Sequence, residues 1–576
     1  SVADEEEQIC KILKLSLDDE RFSSEFKILP KLVCSGRSLF SIRDSNLRIN
    51  MAALDKKRLT HCVCGAIERI DHWNVTYSKP VIIHGNFETK VDAEIFRIQC
   101  FMGDDQANGR QHRMTRSNDV RKDDEDVIRP LNITDNYEWN GVKPDFDQIF
   151  AQIIPTRDLL ERCSRTKPFV NSTQMNVLIY GIDSMSHVSW RKILPKSYTY
   201  LKNTLKSVIL DGRTIKELPE VRRNKPGTHH VDVYPLIWKD FTDNGYVTLF
   251  GEDLPEISLF SLRFNGFDKV PVDHYMRPFW LAVQKSTIRK RSGKYCIGAK
   301  AKHLYTLDYV KEFFEKYQRV PKFAFGFHTQ LSHAVTYPVQ HIDQDLKDFL
   351  HYLQSAGHLE NTLLIVMADH GPRFAKRSNS TVGRLEERLP MMSLTFPERF
   401  KNRIRLTTPF DIYETLQSVL NIYNAEKPVK PSDRGISLLN VIPANRTCKS
   451  AGIELHWCTC MQFESLNATE PEVQQAAEYA VTYINKLLYA VRDKCLELKL
   501  KKIFGARKAY PNEQLTIETS PNNALFEVTF NLDVISNVLS LNGDFSRINP
   551  YGSQPYCISE THPELRKYCL CREISG

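Results

Sequence analysis

The chain has 576 residues and 14 cysteines, and its 78 lysines and arginines exceed its 70 aspartates and glutamates, giving a net charge of +8. With 41% hydrophobic, 10% aromatic and 26% charged residues, the composition excludes the disordered and collagen-like classes and indicates a packed core. No stretch approaches the roughly 18 to 20 continuous apolar residues that span a bilayer, so we expect a soluble chain without a transmembrane segment. No interleaved basic and aromatic pattern predicts a nucleic-acid partner.

The first predicted unit, residues 1–168, is a β-rich, cysteine-containing accessory domain. Residues Ala93–Cys100 alternate apolar and polar side chains with a period of two, as a half-buried strand does. Val81–Ile83 is a second strand-like piece. The polar stretch Gly103–Asp126 predicts an exposed loop.

The second predicted unit, residues 169–445, alternates strands and helices, which indicates a doubly wound, mostly parallel α/β sheet. Met175–Ile182 is nearly continuously apolar, as in a strand buried on both faces. Further strands are predicted at Val208–Leu210, Tyr246–Phe250, Lys322–Phe327 and Thr362–Ala368, and helices at Leu194–Lys206, Leu236–Asn244, Leu304–Tyr317 and Ile342–Ser355.

The third predicted unit, residues 446–576, is a disulfide-bonded α+β region. A helical pattern runs over Glu472–Leu500, with Ala476, Ala480 and Ile484 on one apolar stripe. Such a stripe is typical of a helix that packs against a core.

The cysteine spacing predicts disulfides rather than zinc sites, because the three close pairs read Cys-x-Cys whereas zinc ribbons place two residues between paired thiolates. We expect Cys296, in the middle unit, to remain a free thiol. The disulfides would then stabilise the two flanking units, and the middle unit would contain none. The predicted disulfide cysteines are Cys10, Cys34, Cys62, Cys64, Cys100, Cys163, Cys448, Cys458, Cys460, Cys495, Cys557, Cys569 and Cys571.

Six Asn-x-Ser/Thr sequons predict N-linked glycans, at Asn74, Asn132, Asn171, Asn379, Asn445 and Asn467. Together with the cysteines they indicate an oxidising secretory route, and hence a secreted, extracellular protein or an ectodomain released from a membrane anchor. Because the chain begins at Ser1 without a leader pattern, we expect any signal peptide or anchor to have been removed.

Acidic and imidazole side chains follow several predicted strands of the middle unit. Asp183 ends one strand, Asp369 and His370 end another, and His333 follows a third. Ligand sites in open parallel sheets lie beyond the carboxyl ends of the strands, so these residues should converge. Carboxylates and imidazoles suit zinc, manganese or a similar divalent ion. The alternative is that the aspartates only cap the following helices.

Three segments around these residues resemble the alkaline phosphatase and sulfatase superfamily, and more specifically the branch catalogued as domain of unknown function 229. They are Asp183-Ser-Met-Ser, the segment Asn361–Phe374 with its Ala-Asp-His-Gly motif, and Gly383–Pro390. The similarity extends roughly from residue 165 to the end of the chain.

The resemblance implies the fold of a metal-dependent phosphate or sulfate ester hydrolase, with a Thr, Ser or modified Cys nucleophile facing one or two divalent ions. By position in the motifs, Asp183, Asp369 and His370 match the ligands of one metal. His333 matches a ligand of the second metal.

This chain departs from the family pattern at the nucleophile and at the second metal. Within Gly212–Gly227, Glu217 stands where the family has threonine, and Thr214 would serve only if the segment shifted register. Thr329 stands four residues before His333, where two-metal members have aspartate. A carboxylate at the nucleophile position would repel an anionic ester.

Two functional hypotheses follow. The first is a catalytically impaired binding or structural protein that holds one zinc or manganese ion, or none, and binds an anionic glycan or an extracellular protein. The second is a phosphoric or sulfuric ester hydrolase that works with one metal. The basic clusters Val221–Lys225 and Ile288–Lys294 would suit sulfated glycans or acidic lipids, and alternatively are solvated loops or processing sites.

Overall fold

The computed structural model describes residues 27–36, 38–49, 58–83, 88–103, 144–168, 172–211, 229–262, 264–373, 381–397, 407–421, 434–440, 442–443, 445–458, 463–509, 512–533, 538–541, 543, 545–559 and 561–574. The loop prediction for Gly103–Asp126 falls outside these ranges except for Gly103. The functional predictions that also fall outside them concern Cys10, Cys460, Asn132, Asn171, Asn379, Thr214 and Glu217.

The first part of the described chain consists of antiparallel strands and one helix. Its elements are β1 (Phe40–Arg43), β2 (Asn46–Ile49), β3 (Arg58–Arg69), β4 (Val75–Tyr77), β5 (Val81–Ile83), β6 (Glu88–Lys90), β7 (Ile95–Gly103), β8 (Phe146–Ala151) and α1 (Arg157–Arg165). One sheet has the order β4-β3-β7-β8 with β5 also on β3, and a smaller one has the order β1-β2-β6. The polar face of β7 is also buried, and the buried Arg97 forms an ion pair there with Asp147 at 2.6 Å.

The middle of the chain forms a seven-stranded sheet in the order β10-β17-β16-β9-β15-β11-β12. Six of these strands run in the same direction, and only β17 is reversed, so it pairs antiparallel with β16 on one side and with the edge strand β10 on the other. The strands are β9 (Asn176–Ile182), β10 (Val208–Asp211), β11 (Val247–Glu252), β12 (His274–Tyr275), β15 (Lys322–His328), β16 (Thr362–Met367) and β17 (Met391–Thr395), and a separate hairpin pairs β13 (Cys296–Ile297) with β14 (Lys300–Ala301).

Helices cover both faces of this sheet. They are α2 (His187–Ile193), α3 (Pro195–Thr199), α4 (Ile237–Asp243), α5 (Arg277–Lys285), α6 (Thr287–Arg291), α7 (Lys302–Lys316), α8 (Asp343–Ser355), α9 (Thr381–Arg388) and α10 (Pro409–Leu420). After α3 the chain continues as a π-helical turn, Tyr200–Thr204, where the sequence predicts regular helix to Lys206.

The central strand β9 explains the apolar run in the sequence. Leu178 and Tyr180 pack into one buried cluster with Leu346 of α8. Val177, on the opposite face, packs into a second cluster with Phe241 of α4. A strand buried on both faces needs apolar residues at every position. The predicted doubly wound, mostly parallel α/β class is confirmed.

The C-terminal region pairs an antiparallel sheet with one long helix. Its elements are β18 (Glu464–Leu466), α11 (Pro471–Leu488), β19 (Lys499–Ala509), β20 (Asn512–Ser520), β21 (Ala524–Asp533), β22 (Val538–Leu541) and β23 (Ser546–Arg547). The sheet has the order β18-β19-β20-β21-β22, and β23 also pairs with β21.

The helix predicted over Glu472–Leu500 is wrong at its C-terminal end, because α11 stops at Leu488. Val491, Cys495 and Leu498 keep the helical spacing and are buried in the same cluster, which is why the sequence pattern continues. A 3-10 turn follows α11, and Cys495 then pairs with the segment around Cys571 before β19 begins. Tertiary pairing here overrides local periodicity.

The structure contains five disulfides among the described residues: Cys34–Cys296, Cys62–Cys100, Cys448–Cys458, Cys495–Cys569 and Cys557–Cys571. The expectation that Cys296 stays outside the disulfides is therefore wrong. Its bond to Cys34 ties the first region to the β13–β14 hairpin of the middle of the chain. The domain boundaries at residues 168 and 445 stay predictions.

The disulfides predicted for Cys64 and Cys163 are also wrong, because both residues are free thiols. Cys62 lies opposite Cys100 in the β3–β7 ladder, whereas Cys64 lies opposite Ile98 on β7 and Val81 on β5. No cysteine therefore faces Cys64 across the sheet. Sequence spacing could not reveal this register. Among the described residues, we also find no helix with the length and apolar character needed to cross a membrane.

Candidate metal centre

Asp183 follows β9 directly and is almost fully buried, with 5% of its surface exposed. Its backbone N–H donates to the carbonyl of His328 on the neighbouring strand β15, at 3.0 Å. The next residue, Ser184, has a left-handed φ of +57°, which turns the chain sharply away from the sheet. The Ser184 hydroxyl donates to Oδ1 of Asp183 at 2.7 Å and so fixes the orientation of the carboxylate.

Asp369 and His370 follow β16, which pairs in parallel with β9, so both strand ends lie at one edge of the sheet. The backbone N–H of Ser184 donates to Oδ1 of Asp369 at 3.1 Å, and the N–H of His370 donates to the same oxygen at 2.8 Å. One carboxylate oxygen thus connects the two turns. The remaining oxygen, Oδ2, lies 3.2 Å from Nε2 of His370.

The hydrogen bonds of His370 fix its tautomer. Its Nδ1 lies 2.8 Å from the carbonyl oxygen of Gly371, and a carbonyl can only accept, so Nδ1 carries the proton. The other ring nitrogen, Nε2, lies 3.2 Å from Asp369 Oδ2 and 4.0 Å from Asp183 Oδ1. With Nδ1 held by the carbonyl, Nε2 is the ring atom left to bind a cation, and it lies next to both carboxylates.

The electrostatics of the three residues, called the candidate metal centre below, agree with this geometry. One ligand atom from each of Asp183, Asp369 and His370 lies within 4.8 Å of the others. Burial, and then the nearby Asp369 carboxylate, raise the pKa of Asp183 to about 8. A divalent ion would offset this repulsion, and two carboxylates with one imidazole suit zinc or manganese. The residues present therefore fit such an ion.

A second close group, Cys495, Cys557 and Cys569, is not a candidate metal site. Cys495 is bonded to Cys569, and Cys557 to Cys571. Metals bind thiolates, and these sulfurs are already in disulfides.

His333 lies outside the compact group. It is exposed and sits in the turn after β15, where its N–H donates to the carbonyl of Thr329 at 3.0 Å. Burial lowers its pKa, the charge of Asp369 opposes this effect, and the charge of Arg373 acts with it. The structure thus brings Asp183, Asp369 and His370 together and leaves His333 outside this group.

The turn that carries His333 is held by Asp253, which sequence reasoning missed. This buried carboxylate follows β11 and accepts the N–H groups of Thr329 at 2.7 Å and Gln330 at 3.1 Å. Its Oδ2 also lies 3.0 Å from Nδ1 of the buried His328. The rule that flagged Asp183, an acidic residue directly after a strand, also applies to Asp253. Thr329 contributes its backbone here, and its side chain carries no charge.

Sequence reasoning also missed Glu386 and Glu387 on α9. Glu386 is buried and accepts from the Ser186 hydroxyl at 2.7 Å, next to the turn that carries Asp183. The N–H of Gly371 donates to the carbonyl of Glu387 at 2.9 Å. Both residues belong to the segment Gly383–Pro390, which resembles the family, but nothing in the spacing of this segment predicts these contacts.

Three predicted glycosylation sites, Asn74, Asn445 and Asn467, are exposed. The Asn74 amide donates to both carboxylate oxygens of Asp71, at 3.1 and 2.9 Å, and its carbonyl accepts from Lys285 at 3.2 Å. The Asn467 carbonyl accepts from the N–H of Thr469 at 3.1 Å.

Fold and site together define a doubly wound α/β protein with a carboxylate and imidazole centre at the carboxyl ends of its parallel strands. The chain matches the family model described as "Protein of unknown function (DUF229)" over residues 31–504 and belongs to that family. The predicted resemblance to the branch catalogued as domain of unknown function 229 is thereby confirmed. No curated protein matches the chain.

Several solved structures are similar to this chain. PsFucS1 sulfatase from Pseudoalteromonas sp. is 13% identical with a TM-score of 0.34, over 67% of this chain and 91% of that one. The lipoteichoic acid synthase LtaP from Listeria monocytogenes is 11% identical with a TM-score of 0.31, over 72% and 95%. The phosphonate monoester hydrolase SpPMH from Silicibacter pomeroyi is 11% identical with a TM-score of 0.35, over 68% and 94%.

Proposed function

We propose that this protein binds one divalent cation, zinc or manganese, through Asp183, Asp369 and His370, and holds an anionic ester or anionic glycan group there with impaired turnover. The observation that carries the proposal is the position of His370: the Gly371 carbonyl engages Nδ1, and Nε2, the nitrogen left for a cation, lies 3.2 and 4.0 Å from the two aspartate side chains. As helix caps alone, the aspartates would need no imidazole beside them.

When bound, the cation would polarise an ester oxygen. The residues of the chain bind the cation and orient its ligands. Ser184 fixes the Asp183 carboxylate, and the Gly371 carbonyl fixes the imidazole of His370. In this proposal the centre binds, and catalysis is weak because the usual nucleophile is missing.

Two sequence features support impaired turnover. Glu217 stands at the nucleophile position, where its carboxylate would repel an anionic ester. Thr329 replaces the aspartate expected of a two-metal site, and its backbone is engaged by Asp253. A second divalent ion would therefore have fewer carboxylates to offset its charge.

The alternative is a phosphoric or sulfuric ester hydrolase that works with one metal and uses Thr214 as its nucleophile. The specific observation in its favour is the compact geometry of Asp183, Asp369 and His370, which a fully degenerate site would not need to keep. Turnover in this case would depend on those three residues.

The extracellular location belongs to the same proposal. The five disulfides within the described part of the chain and the exposed sequons at Asn74, Asn445 and Asn467 support a secreted glycoprotein or a released ectodomain. The exposed basic residues Arg289, Lys290 and Arg291 support an anionic glycan or extracellular protein as the partner.

The test measures Zn²⁺ and Mn²⁺ binding by calorimetry, and hydrolysis of aryl phosphate, phosphodiester and aryl sulfate substrates. The wild type is compared with Asp369→Asn and His370→Ala, and with Asp308→Asn as a control at an exposed ion pair with Lys300. We expect one bound ion that only the first two variants lose, and little or no turnover. Turnover that disappears in those two variants would support the hydrolase instead. A wild type that binds no ion would contradict the proposal.

A further inference from the structure

Helix α9 contacts both turns of the candidate metal centre. On the β16 side, Gly371 donates its N–H to the carbonyl of Glu387 at 2.9 Å. The approach is so close that a Cβ on Gly371 would lie 2.1 Å from the carbonyl oxygen of Glu386. The Arg373 guanidinium, two residues further on, lies 3.4 Å from the Glu387 carboxylate. The turn that carries Asp369 therefore rests directly on α9.

The β9 side is held by the same helix. The Glu386 carboxylate accepts from the hydroxyls of Ser186 and Ser189, and Ser186 is the N-cap of α2, which begins directly after the Asp183 turn. The chain after α9 adds backbone contacts. His187 donates its N–H to the carbonyl of Leu389 at 2.9 Å. A shift of α9 would thus move both turns that supply ligands.

The opposite contact of α9 is with the C-terminal sheet. Arg384 and Arg388 both form ion pairs with Glu527 on β21, whose side chain is fully buried, and Arg507 of β19 lies 3.8 Å away. Burial alone would raise the pKa of Glu527, but Arg388 and Arg384 outweigh it and lower the pKa to about 2. Glu527 is therefore ionised, and its charge anchors α9 to a region distant in sequence.

We propose that Glu527 is a positioning residue for the candidate metal centre, acting through α9 on the turns after β9 and β16. The inference rests on the proposed function, since the centre that Glu527 positions is the proposed cation site. It assigns a role in ligand geometry to the C-terminal region, which contributes no side chain to the centre itself.

The test compares Glu527→Gln with Asp411→Asn. Asp411 is a matched control because it is also a fully buried carboxylate, held by Arg446 at 2.8 and 2.9 Å, and it lies on α10. Glu527→Gln leaves Arg384 and Arg388 without their counter-charge, and Asp411→Asn leaves Arg446 without its counter-charge. A general loss of stability should therefore appear in both, whereas an effect on the centre should appear only in Glu527→Gln.

Two readouts are used: the dissociation constant for Mn²⁺ from calorimetry, and hydrogen exchange of the backbone amides 369–371 in metal-free protein. We expect Glu527→Gln to weaken Mn²⁺ binding about tenfold or more, as for other residues that orient metal ligands, and Asp411→Asn to change it less than about twofold. The Gly371 amide should exchange faster in Glu527→Gln alone, because its bond to Glu387 loosens.

Equal effects of the two variants on both readouts would overturn the inference. Glu527→Asp keeps the charge with a shorter reach and should restore most of the Mn²⁺ affinity. If Glu527→Gln does not fold, Arg388→Gln, which removes one of the two ion pairs between α9 and Glu527, is compared with Asp411→Asn by the same two readouts. If the wild type binds no Mn²⁺, the proposed function fails, but the exchange at Gly371 still decides whether Glu527 positions the turn.

Discussion

At the scale of single residues, the centre depends on atoms whose directions are fixed by neighbours. The Asp183 carboxylate is oriented by the hydroxyl of Ser184, and the imidazole of His370 by the carbonyl of Gly371. The residue types could be predicted from the sequence because acidic residues after buried strands are recognisable. The tautomer of His370 could not, because it depends on a hydrogen bond that no spacing reveals.

Gly371 offers the sharpest test at this scale. In Gly371→Ala the new Cβ would lie 2.1 Å from the backbone oxygen of Glu386, so either the turn or α9 has to move. We expect the affinity for Zn²⁺ or Mn²⁺ to fall about tenfold or more. We also expect the free energy of unfolding to fall by about 1 to 3 kcal/mol.

Gly505→Ala is the control, because nothing lies within 4 Å of the added Cβ there. Calorimetry and denaturant unfolding measure both effects. Unchanged metal affinity in Gly371→Ala would show that the turn does not need its close contact with α9.

At the scale of elements, strands were easier to predict than the ends of helices. Buried strands such as β9 and β16 are nearly continuous apolar runs, and their bounds differ from the predictions by a residue or so. The end of α11 was missed because Val491, Cys495 and Leu498 continue the helical spacing after the helix has stopped. Only the pairing of Cys495 with Cys571 shows that the helix has ended there and does not continue.

The packing of the first region on α5 predicts a pH dependence of stability. His72 is buried, and burial together with the charges of Arg277 and Arg69 lowers its pKa to about 3, with Asp71 opposing them. An unfolded histidine takes up a proton near pH 6.5, so below that pH the unfolded state binds more protons. Stability contributed by the neutral ring is therefore present above pH 6.5 and is lost as the pH falls towards 3.

We expect His72 to reduce the free energy of unfolding by about 2 kcal/mol between pH 7 and pH 5. Urea unfolding of the wild type and His72→Gln at both pH values measures this difference. The variant should be less stable at pH 7, because the ring contacts Ser261 at 2.9 Å and the N–H of Phe267 at 3.1 Å, but should depend less on pH. The same pH dependence in both proteins would contradict the assignment to His72.

At the scale of the whole molecule, disulfides and buried charge connect regions that the sequence separates. Cys34–Cys296 spans 262 residues and links the first region to the β13–β14 hairpin in the middle of the chain, and Glu527 links the C-terminal sheet to α9. The family membership and the fold class could be predicted from the sequence. These long-range links were not, because neither a disulfide partner nor a buried ion pair has a local signature.

The disulfides permit a prediction about stability. Because the loop closed by Cys34–Cys296 spans 262 residues and that closed by Cys448–Cys458 spans 10, replacing the first pair by serines should cost more. The chain-entropy argument gives a difference of about 3 kcal/mol in the free energy of unfolding. Thermal and denaturant unfolding of the two double-serine variants measure this difference. Equal losses of unfolding free energy would contradict the prediction, because the unfolded first region would then gain little conformational entropy when Cys34–Cys296 is removed.

The central claim is that Asp183, Asp369 and His370 hold one divalent cation. Anomalous scattering at the zinc and manganese edges, from crystals grown with each metal, tests it most directly. The account predicts a single peak bonded to His370 Nε2 and to oxygens of both aspartates. Crystals with added metal but no peak between these three side chains would contradict it.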